Sequence, residues 1–247
     1  MKKLFIYSFL VGILCSCTDD ANSSSADSPQ QDGQGGSLAT FALKGDYLYV
    51  VDQANLNVFS LSNAAEPVAV NTVPVGFEIE TLFSYQEYLY IGSRTGMFIY
   101  EVTNPEFPNK LSSVQHFTAC DPVVANDTYA YVTLHSDTFC GNDINLLEIY
   151  DVTDVTAPVL VSSRNLVFPR GLGLFGDFLI VCDDEIKIFD VSDPAQSKLV
   201  NAIDKQAFDV IIQGDLLIAI GETGLFQYRL NASEETVTVT NLSSISI

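Results

Sequence analysis

The 247-residue chain has no tryptophan, two histidines, and 11 basic residues against 31 acidic ones. Each shortage removes a class of function. Without tryptophan the strongest stacking platform for sugars is missing, so Tyr and Phe must stand in. His116 and His135 are too few for a histidine-rich zinc centre. A formal net charge of −20 opposes nucleic acid and direct attraction to anionic lipid. No segment keeps a helical period, and G-x-S-x-G, H-E-x-x-H and a Walker-type glycine loop are all absent. The carboxylates that a glycosidase would need exist in Glu78, Asp121, Asp183, Asp209 and Glu222, but four of the five loops that would carry such a site are minimal.

The first stretch that is present is MKKLFIYSFLVGILCSC. Lys2 and Lys3 precede an apolar run, Leu4 to Leu14, that is too short to cross a bilayer and reads as an export signal. Its end, Leu14-Cys15-Ser16-Cys17, resembles a bacterial lipoprotein box. The resemblance implies cleavage after the small Ser16, a signal peptide over 1–16 and lipidation of Cys17, which would tie the chain to a membrane through acyl chains. Thr18-Asp19-Asp20 resembles the acidic export tag of Bacteroides-type surface lipoproteins. An outer-membrane address follows, facing the medium, with the periplasmic face as the alternative. Residues 17–36 carry DDANSSSADSPQQDGQGG, with no large apolar group to offset ordering entropy, and are expected to form a flexible tether. Loss of Lys2 and Lys3 with the signal takes the mature charge to about −22.

Residues 37–247 repeat. DYLYVVDQANLNVFSLSNAAEPV from Asp46 returns as EYLYIGSRTGMFIYEVTNPEFPNKL from Glu87. It returns again from Thr128, Asp177 and Asp215. The equivalent residues Leu48, Leu89, Ala130, Leu179 and Leu217 lie 41, 41, 49 and 38 residues apart. Each copy holds four short runs rich in Val, Ile, Leu, Tyr and Phe, parted by turn formers such as Asn104-Pro105 and Asp193-Pro194. In the second copy the runs are Ile79 to Tyr85, Tyr88 to Ile91, Met97 to Val102 and Lys110 to His116. The second run of each copy is apolar at consecutive positions, so it should be covered on both faces, as in a blade between two neighbours. The expectation is an all-β, five-bladed β-propeller of four-stranded antiparallel blades, at about 37–76, 77–117, 118–169, 170–206 and 207–247. The chain begins with a first strand and ends with a fourth, so closure should rest on blade packing.

YLYVVD…LNVFSLSNAAEPV resembles the LVIVD-repeat lipoprotein family of Bacteroidetes, which the resemblance makes a propeller family with no defined activity to transfer. The fifth copy departs from it. Asn231-Ala232-Ser233 replaces the Asp/Asn-Pro turn, and Gln227 stands where the others have Val58, Ile99, Ile149 and Ile188.

On one propeller face, the loops joining second to third strands meet the segments leading into each first strand. The third such loop is the long one: Ala130 to Leu147 spans 17 residues where Leu48 to Leu56 spans eight. It holds His135, Asp137, Cys140 and Asp143, and long loops on rigid scaffolds carry binding. The register puts Cys120 on the same face of the same blade as Cys140. In an oxidising compartment these two are expected to form a disulfide, a pairing the family resemblance also implies. Arg94 and Arg170 fall on this face in an otherwise acidic chain, where the first expectation is that they neutralise adjacent acids such as Asp121, Asp183 or Glu185, and the functional alternative is that they clamp a carboxylate or acidic glycan. With Asp121, Asp183, Glu185 and Glu222 they complete the expected binding face. No cofactor is called for. Oxygen ligands for calcium exist in His135-Asp137-Asp143 or Asp183-Asp184-Glu185, but no twelve-residue calcium loop does. The expected role is non-catalytic, a binding or scaffold module for a protein or glycan, with a glycoside hydrolase-like enzyme using axial carboxylates as the alternative.

Overall fold

The computed structural model describes residues 35–115, 122–135, 144–233 and 236–246. The apolar runs form strands because turn residues interrupt them every few positions and their β-branched and aromatic side chains suit a pleated surface. Blade one contains β1 (Phe41–Lys44), β2 (Tyr47–Val51), β3 (Asn55–Ser60) and β4 (Val68–Pro74). Blade two contains β5 (Ile79–Tyr85), β6 (Tyr88–Ser93), β7 (Gly96–Glu101) and β8 (Asn109–Gln115). Blade three is β9 (Val123–Ala125), β10 (Tyr129–Leu134), β11 (Leu146–Asp151) and β12 (Val159–Asn165). Blade four is β13 (Leu172–Phe175), β14 (Phe178–Cys182), β15 (Ile186–Asp190) and β16 (Lys198–Ile203). Blade five is β17 (Asp209–Gln213), β18 (Leu216–Gly221), β19 (Gly224–Ala232) and β20 (Val237–Ser246). Every sheet is a four-stranded antiparallel meander of consecutive strands, so the chain is a five-bladed all-β propeller. Among the described residues no blade borrows a strand from the other end of the chain. Among the described residues no helix is long and apolar enough to cross a membrane.

All five blades break register between the third and fourth strands at the same place, from Val58/Phe59 to Gln227/Tyr228. Such a bulge adds local twist to the outer strand. Just before it, Asn71, Ser112, Ser162 and Asn201 each donate to a backbone carbonyl of the next blade: Glu106, Val155, Pro194 and Val237. Apolar packing runs beside these latches. One buried cluster joins blades one and two, a second spans blades two to four, and a third joins four and five.

The expectation that every second strand is covered on both faces holds for β6, β10 and β14, whose residues are buried almost throughout. It fails for β2 and β18, each of which has one half-open face. The reason is the seam between blades five and one, where no buried cluster among the described residues crosses. Each blade is built of consecutive strands, as expected for a ring closed without a shared blade, and at this seam the link across the axis is a segment of chain. Gly35 lines a cavity with the first strands of blades two to five. The fully buried Ser37 hydroxyl donates to Asp209 Oδ1 at 3.1 Å and accepts from the Leu172 amide at 2.8 Å. Ala39 O then accepts from Leu82 N at 2.7 Å, and Thr40 O from Val51 N at 2.9 Å, before β1 begins. A six-residue strap thus touches blades five, four, two and one in turn.

Candidate functional site

The segment 167–171 leads into β13 and is fixed from several sides. Asp183, whose carboxylate is fully buried, accepts from the Val167 and Phe168 amides at 3.0 and 2.5 Å and from Lys187 Nζ at 2.7 Å. Lys187 also reaches Asp184 at 2.6 Å, which holds the Asp184 carboxyl below its usual range. Desolvation pushes Lys187 down, but its bonds to Asp183 and Asp184 more than offset this and its pKa is raised. The Arg170 amide donates to Cys182 O at 2.7 Å, and Thr133 Oγ1 donates to Arg170 O at 2.5 Å. With backbone and neighbours pinned, the Arg170 side chain lies over the Phe168 ring at 4.7 Å.

These groups form the blade-four side of a cleft of about 320 Å³, at the small end of the range for ligand sites. Blade five supplies Gln206, Ala207, Phe208, Glu222 and Thr223. The apolar walls are two phenylalanines, Val167 and Ala207, with the Arg170 guanidinium and the Lys187-paired Asp183 and Asp184 on one side and an amide, a hydroxyl and a carboxylate on the other. Among the described residues no carboxylate lies within ion-pair distance of the Arg170 guanidinium, whereas Asp183 and Asp184 are both taken by Lys187. Among the described residues no side chain pairs with the forked N–H donors of Arg170, whose geometry suits a carboxylate.

Of the expected face, the structure brings Arg170, Asp183 and Glu222 into this cleft. His135, just after β10, does not line the cleft but packs on its Phe168 from blade three, edge-on with ring centroids 5.6 Å apart. Arg94 is engaged elsewhere: its Nη1 meets Glu78 Oε1 at 2.5 Å, and its amide donates to Glu78 O. Glu185 forms the tight turn of blade four, its carbonyl accepting from Asp183 N at 2.9 Å. Cys17, Cys120, Asp121, Asp137, Cys140 and Asp143 lie outside the described residues. Cys182 is a buried free thiol, and burial pushes its pKa up. Among the described residues no group of three His, Cys, Asp or Glu is placed to hold a metal. Sequence reasoning missed Phe168 and Phe208. Both stand in the lead-in segments of V-F-P-R and A-F-D, which the register already placed on this face.

Asp209, on the axial side of blade five, serves the fold. Besides Ser37 it accepts from the Val210 amide at 2.9 Å, and burial raises its pKa against the pull of these bonds. A Cβ on Gly36 would sit 2.1 Å from its Oδ2, and one on Gly171 2.3 Å from its Oδ1. Two glycines are needed because the strap, the carboxylate and blade four meet there without room for a methyl group.

No curated protein matches the chain by sequence. Solved structures do resemble it in fold. A periplasmic gluconolactonase of Pseudomonas aeruginosa superposes with a TM-score of 0.62 at 13% identity, covering 82% of this chain and 68% of that one. A protein from Lactobacillus plantarum gives 0.67 at 11% identity over 82% and 69%. A hypothetical selenium-binding protein from Sulfolobus tokodaii gives 0.57 at 10% identity over 81% and 61%. At such identities the likeness is one of fold. The LVIVD repeat pattern matches residues 35–74 and 170–204, the first and fourth blades with their lead-in segments. The chain is a five-bladed propeller whose first and fourth blades match the LVIVD repeat.

Proposed function

We propose that this protein is a lipid-anchored, extracytoplasmic propeller that binds a carboxylate-bearing glycan or protein without transforming it, through the cleft between blades four and five. The observation that carries the reading is Arg170, a guanidinium stacked on Phe168 in a 320 Å³ cleft with no acidic partner among the described residues. In a chain of net charge −20 a lone anion receptor has to be local, because the long-range field repels acids. Flanking phenylalanines suit the C–H face of a sugar ring, and Gln206, Thr223 and Glu222 offer hydroxyl partners. An acidic glycan is the first choice of ligand.

Three of the five carboxylates that a glycosidase would need are committed to structural bonds, which supports a non-catalytic role. Asp183 is bonded to two amides and Lys187, Glu78 to Arg94, and Asp209 to Ser37 and Val210. The proposed lipoprotein address at the outer membrane rests on the resemblance of the Cys17 box and the Asp19-Asp20 tag in the sequence. Mass spectrometry of the detergent-extracted protein should find Cys17 acylated at the N-terminus, and a mature chain starting elsewhere overturns the anchor. Protease access on whole cells then separates the two leaflet faces.

Binding is tested by titrating the full chain with oligogalacturonate, its methyl ester and an acidic peptide. Arg170→Gln should weaken oligogalacturonate binding about tenfold or more, the worth of a charge-assisted bond. The ester should behave like the mutant. Peptide binding that depends on Arg170 would move the ligand to a protein surface. Binding of every probe unaffected by Arg170→Gln would remove the cleft from the function.

A further inference from the structure

The five repeats allow a like-for-like comparison of blade faces, and two faces stand apart. On the side of a blade that meets its predecessor, Leu89, Ala130, Leu179 and Leu217 are equivalent and fully buried, as are Ile91, Val132, Val181 and Ala219. Blade one has Leu48 and Val50 at these positions, both only half-buried, and beside them Phe41 and Leu43 are 56% and 38% exposed. The register puts all four on one face, since Phe41 pairs with Val50 and Leu43 with Leu48. On the side that meets a successor, Tyr49, Tyr90, Tyr131 and Ile180 are buried, yet blade five's Ile218 is half-open. Its face-mates Ile211 and Ile245 are 37% and 59% exposed.

The latch tells the same story. Asn71, Ser112, Ser162 and Asn201 each bond to the following blade, whereas Ser243, the same position in blade five, turns to Gln227 of its own sheet at 2.8 Å. The two open faces are thus the two halves of the interface that is made four times elsewhere in the molecule.

We propose that a second copy of this chain fills the seam, docking its blade-one face on the blade-five face in the manner of consecutive blades. Continuity with the existing interfaces argues for this occupant. Phe41, Leu43, Leu48 and Val50 already have the shape and register to sit on a preceding blade, and Ile211, Ile218 and Ile220 to receive one. Closing the seam within one chain is opposed by the strap, which leaves no spare space at Gly36, and by the three buried apolar clusters that closure would have to repack. The contact is heterologous, so each copy keeps one face free for the next.

The design of the test follows from that asymmetry. Sedimentation velocity of the full chain should show concentration-dependent association. Phe41→Asp on blade one and Ile211→Asp on blade five should each raise the dissociation constant more than tenfold, by placing a charge in an apolar contact. Both substituted side chains are already exposed, and Leu43→Lys with Ile245→Lys provides a second pair should either aspartate impair folding. Mixing Phe41→Asp with Ile211→Asp should restore a dimer and nothing larger, because each partner retains the one face the other lacks. A wild-type chain that stays monomeric at about 200 μM, a concentration at which a contact of only ~5 kcal/mol would already show, overturns the proposal. So does a mixture of folded variants that fails to associate, or a Leu48→Cys/Ile218→Cys chain that forms its disulfide within a monomer.

Discussion

Replacing Ser37 by Ala removes one oxygen from the axis of the propeller. That oxygen donates to Asp209 and accepts from the Leu172 amide, and Ser37 has no solvent exposure from which water could replace it. The Leu172 N–H would be left buried without an acceptor, at about 1–3 kcal/mol, while the carboxylate would lose one donor but keep the Val210 amide. The two losses share one atom, so a net cost of about 2–3 kcal/mol is expected. For a domain of this size each kcal/mol moves the melting temperature by about 2–4 °C, giving a fall of about 4–12 °C. Ser192→Ala is the control. It deletes the same Ser–Asp pairing, 2.7 Å to Asp190, on the surface, and should stay within about 0.5 kcal/mol. Calorimetry of the three proteins supplies the numbers, and limited proteolysis should show faster cleavage between residues 35 and 40 in Ser37→Ala alone. If Ser37→Ala melts within 1–2 °C of wild type and its strap resists protease equally, the strap is not the link across the axis.

Lys187→Met should destabilise by about 3 kcal/mol, because it strips the only cationic partner shown for the buried Asp183 carboxylate; a urea midpoint equal to wild type would contradict that. The same variant should lower affinity for a cleft ligand, since Asp183 positions Phe168. The acid limb of stability has two opposing parts. Asp52, held down to about 2 by the Ala54 amide, Asn57 and Asn55, is lowered below its unfolded value, as are Asp151, Asp154 and Asp190. Their contribution is present above the unfolded pKa and is lost as pH falls through the folded values. Asp209 has the opposite sign: its raised pKa gives a contribution present below the unfolded pKa and lost as pH rises through the folded one. Urea midpoints at pH 7, 4 and 2.5 should therefore show a shallower acid limb in Asp52→Asn than in wild type, and parallel curves would contradict the assignment.

Repeat period, strand content and the face that carries loops were all legible in the sequence, because each depends on local alternation and turn chemistry copied five times. The four runs of the second copy coincide with β5 to β8 within a few residues for that reason. Gln227 was legible as a departure too, and its meaning lies in the tertiary structure: it stands on a face with no following blade, where Val58, Ile99, Ile149 and Ile188 are buried against one. Arg94 and Arg170 were indistinguishable as sequence, both single cations in acidic loops. Folding placed Glu78 against the first and an aromatic ring beneath the second. The seam and the strap were beyond sequence reasoning altogether. Periodicity fixes how one blade meets the next, but whether the last meets the first depends on side-chain packing summed around the axis, and among the described residues no buried cluster joins blades five and one. A six-residue segment that reads as linker fills the space, because its glycine and serine are the residues that fit beside Asp209.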